Sequence, residues 1–109
     1  MENVYWYFRF IPTFAVIESK IFCVHGGLSP LLNYIDDIRK IDRKQEVPKN
    51  GLMCDILYSD PDEGVWTYVY QSRGAGYLFG EKDVYKFNRE NNIDLIARSH
   101  ELIRKGYQF

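Results

Sequence analysis

The sequence predicts one small α+β domain, with short apolar strands and amphipathic helices sharing a single core. Three observations carry this. Two apolar runs, Phe22 to Val24 and Ile93 to Ala97, each lead into a histidine, as buried strands do when they end in a loop. The polar turn Glu18-Ser19-Lys20 separates the first run from another apolar stretch, which reads as a hairpin. Glu81 to Asn91 places acids first and turns Val84 and Phe87 to one side, which is helical patterning.

The elements follow in order. Tyr5 and Phe8, with Pro12, recur at helix-like spacing in an aromatic opening segment and predict the end of a helix. Phe14 to Glu18 and Lys20 to Val24 are the two hairpin strands. Asn33 is placed to cap a short helix with Ile35, Ile38 and Ile41 on one side. Asp42 to Asn50 is charged, contains Pro48 and reads as an exposed loop. Leu52, Met53, Ile56 and Leu57 repeat at helical spacing. Ser59 to Gly64 is a turn cluster. Val65 to Ser72 is irregular, and Arg73 to Gly80 is short and punctuated by glycine. Ile93 to Ala97 is a third buried strand, and Gly106 to Phe109 the start of another.

Composition narrows the class of function. With 109 residues, 46% of them hydrophobic and 27% charged, the chain is globular with one core. A net charge of -1 provides no basic field to recruit nucleic acid or a membrane. No apolar run approaches the ~20 residues of a membrane span. The first ten residues lack the basic region of a signal peptide. Cys23 and Cys54 both lie in apolar runs and read as a reduced intracellular pair rather than a disulfide.

The stretch Lys20 to Pro30 carries the clearest chemical signal. His25 ends a rigid strand beside Gly26 and Gly27, whose missing Cβ atoms let a metal, an anion or another backbone approach closely. His100 repeats the arrangement after the third strand. In sheets of this kind, sites gather at the carboxyl ends of strands. Neutral imidazoles suit Zn, Fe and Mn, and their second ring nitrogen needs an acceptor nearby. From spacing alone, metal ligands and hydrogen-bonded structural histidines both remain open. Arg73, next to Cβ-free backbone, can aim a bidentate fork at a phosphate, or can be a surface arginine in a turn. The run Gly74 to Gly80 lacks the Gly-Lys-Ser/Thr ending of a nucleotide-binding loop. A zinc set of Cys23, His25, Cys54 and His100 is weakly supported, because alternation sends Cys23 and His25 to opposite faces of a strand.

The motifs together resemble a known family. Lys20-Ile-Phe-Cys-Val-His-Gly-Gly-Leu-Ser-Pro30 closely resembles the second histidine motif of the phosphoprotein phosphatase family of Ser/Thr phosphatases. Leu52-Met-Cys-Asp-Ile-Leu-Tyr-Ser-Asp-Pro61, Arg73-Gly-Ala-Gly-Tyr-Leu-Phe-Gly80 and Asp94-Leu-Ile-Ala-Arg-Ser-His-Glu101 look like its next three motifs, in the family's order and near its spacing. Arg-Gly-Ala-Gly-Tyr is most similar to the type-2A-like branch. The resemblance implies part of a calcineurin-like metallophosphoesterase β-sandwich flanked by helices. It implies two metal ions (Mn, Fe or Zn), with His25 and His100 as ligands of one and Arg73 on the substrate phosphate. It assigns Asp60 to structural support or to bracing the groups that hold the metals. The implied activity is hydrolysis of phosphoserine and phosphothreonine by a metal-activated water. Implied partners are phosphoprotein substrates and regulatory or scaffold subunits, and the implied compartment is the cytoplasm, with the nucleus as a second.

The departures set further expectations. The family's Gly-Asp-x-His, Gly-Asp-x-x-Asp-Arg-Gly and Gly-Asn-His-Glu stretches do not occur, so the general acid and most metal ligands are missing. Tyr58 stands where tryptophan is usual, Thr67 where glycine is common, and Ser99 and Glu101 replace alanine and glutamine. Glu101 thereby sets an acid beside His100. The expectation is that residues 1–109 are the central-to-C-terminal part of a catalytic domain, cut at both ends, which folds partially and binds metal poorly. No catalytic residue is assigned within the chain. The rival expectation is an inactive, phosphatase-derived chain that binds partner proteins through its aromatic surface.

Overall fold

The computed structural model describes residues 11–109. The helix end expected around Tyr5 and Phe8 lies outside the described residues. Phe14–Ile17 (β1) and Ile21–Val24 (β2) form the expected antiparallel hairpin. Its turn residues Glu18 and Ser19 both have positive φ, of 54° and 58°. This is the backbone twist that joins two strands through a two-residue turn. On β2, Phe22 and Val24 are buried while Ile21 and Cys23 are half-buried. The strand is therefore covered fully on one face only, not on both.

Asp36–Arg39 (α1) is a single turn, with Ile35, Ile38 and Ile41 packed on the core as their spacing predicts. Asn33 is not its cap. The Tyr34 amide donates instead to Asp37 Oδ2 at 3.0 Å, and the Asn33 carbonyl accepts from the Asn91 amide at 2.8 Å. Leu52–Tyr58 (α2) buries Met53, Cys54, Asp55 and Ile56. Asp60–Pro61 (β3) is a short strand where the sequence reads as a turn, and Val69–Tyr70 (β4) is a strand inside the irregular stretch. Tyr77–Phe79 (β5) completes that sheet, and Glu81–Asn91 (α3) follows. Within α3, Asp83 Oδ2 accepts the Gly80 amide at 3.0 Å, and Asn92, with φ of 54°, closes the helix in the left-handed conformation.

The last strand, Leu95–Arg98 (β6), starts later than the apolar pattern suggests. Ile93 is buried but belongs to the end of α3, where its amide donates to Asn88 O at 2.8 Å. Gly106 to Phe109 forms no strand. Its Gly106 amide closes a turn on Ile103 O, and Tyr107 and Phe109 are exposed.

The strands make two three-stranded sheets flanked by helices, ordered β1-β2-β6 and β3-β5-β4. This is the α+β class expected. One core joins them. Phe22 and Val24 from the first sheet, Phe79 from the second, Ile56 of α2 and Phe87 of α3 lie in a single buried cluster. The Phe22 and Phe87 rings pack at 5.0 Å between centroids. Burying a side chain such as Phe22 contributes about 1.5–3 kcal/mol.

Two features of this architecture position the site. β2 and β6 are parallel, with Val24 opposite Arg98. Both strands therefore end on the same edge of the sheet, and the loops carrying His25 and His100 emerge side by side. The backbone at the end of α2 is then gripped from two sides by glycine. A Cβ on Gly26 would sit 2.6 Å from the Leu57 carbonyl carbon, and one on Gly76 would sit 2.7 Å from the Ser59 amide nitrogen. Neither distance is tolerable between non-bonded atoms. Only glycine lets the His25 turn and the loop after Arg73 close on the same peptide segment. Of the three approaches Gly26 could admit, the structure uses backbone.

Candidate functional site

The site is built on one buried carboxylate. Asp60 is 2% exposed, and both of its oxygens are doubly engaged. Oδ1 accepts from Arg98 Nη2 at 2.5 Å and pairs with His100 Nδ1 at 2.8 Å. Oδ2 accepts from Arg73 Nη2 at 2.6 Å and from Gln71 Nε2 at 3.1 Å. The short pairing of β3 with β5 holds Asp60 in place, opposite Leu78. Burial alone would push its carboxyl up. The bonds from His100, Arg98 and Gln71 outweigh that and leave it below the ordinary range, so Asp60 stays ionised.

His100 leaves β6 with a φ of 71°. A left-handed backbone costs a residue with a Cβ about 1–2 kcal/mol. The Asp60 bond holds the side chain in the orientation this backbone creates. His25 leaves β2 one residue past the register partner of Arg98, and its Nδ1 lies 3.0 Å from Ser99 Oγ. The Ser99 amide donates back to His25 O at 3.1 Å. The two imidazoles meet edge to face, 5.1 Å between centroids, and Tyr58 packs edge-on against His100 at 5.9 Å. His25 is held below its ordinary pKa, chiefly by loss of hydration among its neighbours and then by its electrostatic interactions with His100 and Arg98, against an opposing pull from Asp60. It is therefore neutral near pH 7, the form that ligates metals.

The structure brings together all three site residues that the sequence singles out. Arg73 and His100 share the Asp60 carboxylate, and His25 lies against His100. Arg73 is not a free surface arginine. Its Nε donates to Gln71 Oε1 at 3.2 Å, and its Nη2 is on Asp60, although the side chain is 70% exposed. Glu101 does not act on His100. Its carboxylate pairs with Arg98. Cys23 and Cys54 are free, and the four-residue zinc set is not assembled.

Three members escape the sequence reading in whole or part. Asp60 supports His100 as read, and it also gathers Arg73 and Arg98, which the sequence reading did not foresee. Gln71 is buried and bridges Tyr58 O, Asp60 and Tyr77 O. Arg98 touches both histidine loops. An arginine directly after an apolar run and two residues before a histidine was the available signal.

The residues fit part of a metal centre. Each Nδ1 is committed to a hydrogen bond, so the Nε2 atoms of His25 and His100 remain for a metal ion. Among the described residues, no group of three His, Cys, Asp or Glu side chains is gathered to hold one. A structural zinc site closes with four ligands, and a catalytic one uses three plus water. Two histidines would supply a pair of ligands and not a complete shell.

Comparison with known proteins gives the family. A family model described as calcineurin-like phosphoesterase matches residues 2–104. The catalytic subunit of serine/threonine-protein phosphatase 4 from Saccharomyces cerevisiae is 51% identical over 98% of this chain and 36% of its own length. Its counterpart from Eremothecium gossypii is 53% identical with the same coverage. A solved S. cerevisiae serine/threonine phosphatase, described as similar to human phosphatase PP5, superposes with a TM-score of 0.79 at 31% identity. That match covers 88% of this chain and 30% of the other. The chain thus spans about a third of the length of these relatives. A family match over residues 2–104, high identity along nearly the whole chain and a shared fold converge, and the chain belongs to the calcineurin-like phosphoesterases, within the phosphoprotein phosphatase family of Ser/Thr phosphatases.

Proposed function

We propose that residues 1–109 are part of a type-2A-like catalytic domain that removes phosphate from phosphoserine and phosphothreonine, and that this part supplies two histidine ligands and the phosphate-gripping arginine. The observation that carries the reading is the Asp60 carboxylate, which holds His100 on one oxygen and Arg73 on the other. A metal-facing imidazole and a phosphate-facing guanidinium are thereby set a carboxylate's width apart. His25 and His100 would hold one ion through Nε2. Bound metal ions, of Mn, Fe or Zn type, would polarise the phosphate and supply a water of lowered pKa. Arg73 keeps Nη1 beyond its bonds to Gln71 and Asp60, and places positive charge where phosphate oxygens gain negative charge. Asp60 keeps the His100 Nδ1 occupied and its ring oriented.

The family's aspartate and asparagine motifs are not among these 109 residues. The isolated chain is therefore expected to bind ions weakly and to turn over little substrate. Phosphoprotein substrates and regulatory or scaffold subunits are the partners we propose, and the cytoplasm, with the nucleus second, is the compartment. The test is Mn2+ binding by electron paramagnetic resonance, alongside turnover of a phosphoserine peptide. Weak binding that is lost in His25→Ala and in His100→Ala supports the reading. Robust turnover abolished by His25→Ala would overturn the expected inactivity. Ion binding unchanged in both variants would overturn the ligand assignment.

A further inference from the structure

Arg98 is the last residue of β6, and its side chain is only 13% exposed. Every nitrogen of its guanidinium has a partner. Nε donates to Gly26 O at 2.7 Å. Nη2 donates to Asp60 Oδ1 at 2.5 Å and to Ser59 O at 3.3 Å. Nη1 pairs with Glu101. Gly26 is the residue after His25, and Asp60 Oδ1 is the atom that holds His100 Nδ1. One planar group therefore touches the turn that aims the first histidine and the carboxylate that orients the second. Glu101 and Ser59 fix that plane at its other edges.

We infer that Arg98 is the positioning residue of the two-histidine site, a rigid spacer that sets His25 and His100 relative to each other. The alternative is an ordinary buried ion pair, which would stabilise the fold without tuning the rings. The contact pattern favours the spacer. An ion pair needs only the Asp60 contact, whereas the Gly26 carbonyl bond, at 2.7 Å, does nothing for charge balance. It also requires the fork. Lysine places a single nitrogen and cannot span Gly26 O and Asp60 Oδ1 with fixed geometry. Backbone pairing of Ser99 with His25 already keeps the strands together. Arg98 adds the angular restraint that strand pairing leaves loose.

This inference rests on the reading that the two rings serve a shared ion, and the test separates the two. The full chain is compared with Arg98→Lys, Arg98→Gln and, as control, Glu101→Gln, which releases only Nη1. Long-range 15N–1H spectra of the imidazoles are recorded first without metal and then during titration with Mn2+. Both histidines should change chemical shift in Arg98→Lys and Arg98→Gln, and neither in Glu101→Gln. Affinity for Mn2+ should fall about 10- to 100-fold in the two Arg98 variants, the usual loss when a group orienting a ligand is removed. Folded variants whose imidazole signals match the wild type overturn the spacer, as does full recovery by lysine, because charge alone would then suffice. If Arg98→Gln does not fold, Arg98→Lys decides the matter, because it keeps the charge opposite Asp60. A wild-type chain blind to Mn2+ overturns the shared-ion reading, while the metal-free spectra still judge Arg98.

Discussion

Asp55 and Asp60 sit on either side of the end of α2, at 3% and 2% exposure, and their carboxyls are driven in opposite directions. Both lose hydration, which favours the neutral acid. Asp55 has one partner to resist this, the Ser29 hydroxyl, which donates to Oδ2 at 2.6 Å, and its carboxyl stays above the ordinary range. Asp60 has two guanidinium groups, an imidazole and an amide, and its carboxyl falls below that range. Equal burial has produced a carboxyl that resists ionisation in one place and a fixed negative charge in the other. Asp55 ties the loop after His25 to α2, since Ser29 Oγ also accepts the Leu31 amide at 3.0 Å. The charge organises the site.

The sharpest way to break the comparison is Asp60→Ala. It leaves buried Arg98 with only the half-exposed Glu101 as a counter-charge, and removing one partner of a buried pair costs about 3–5 kcal/mol. Urea unfolding of the full chain measures this. A loss within the about 0–1 kcal/mol of an exposed ion pair would show that Asp60 is no hub. Ser29→Ala comes next. It deprives Asp55 of its hydroxyl donor, at about 1–3 kcal/mol. Replacing both partners, as Ser29→Ala with Asp55→Leu, should recover part of that loss, because no polar group is then left unpaired. The same rescue has no counterpart at Asp60, where four donors would lose a shared acceptor.

A third test uses pH. The folded carboxyl of Asp55 lies above the ordinary value of 3.8, so in the window between the two the folded chain holds a proton the unfolded chain has released. Stability contributed by Asp55 is therefore fully present below 3.8 and declines as pH rises through the raised value, by at most about 1.4 kcal/mol per pH unit. Cys54 and Tyr68 face Asp55 electrostatically, but both are pushed upward from values already far above this window. Asp55→Asn should remove that decline from the acid limb of the stability curve. An unchanged limb would mean that Asp55 titrates as it does in the unfolded chain.

The sequence showed the two regions unequally. Strand ends were legible, because Phe22 to Val24 and the run before His100 are apolar and stop at chemistry-bearing residues. So was α3, whose Phe87 falls on the core as its spacing requires. β3 was hidden by composition. Asp60 and Pro61 look like turn residues, and only their pairing with Leu78 and Phe79 makes them a strand. β4 was hidden because Val69 and Tyr70 are both exposed and give no alternation. β6 was placed early because Ile93 is apolar for the sake of the α3 terminus. At the site, motifs found His25, His100 and Arg73 one by one. What local sequence cannot show is that one aspartate gathers them, because its partners lie in Arg73, Arg98 and His100, far along the chain.

The smallest expected effect on stability falls on Arg73, the residue proposed to meet the phosphate. Arg73 bonds Asp60 at 2.6 Å, yet its side chain is 70% exposed where that of Arg98 is 13% exposed. Solvent screens the exposed pair, and the entropy of holding a long side chain offsets much of what remains. Removing Arg73 also leaves Asp60 with Gln71, Arg98 and His100. Arg73→Ala should therefore cost at most about 1 kcal/mol in urea unfolding. The same substitution should abolish any retention of inorganic phosphate by the chain in the presence of Mn2+, followed by 31P line broadening. A large stability loss would place Arg73 with Arg98 as part of the brace. Phosphate retention that survives the substitution would shift the phosphate-binding role to another group. Two arginines on one carboxylate are thus separated by exposure, and these substitutions test whether the covered one sets geometry and the open one meets a substrate.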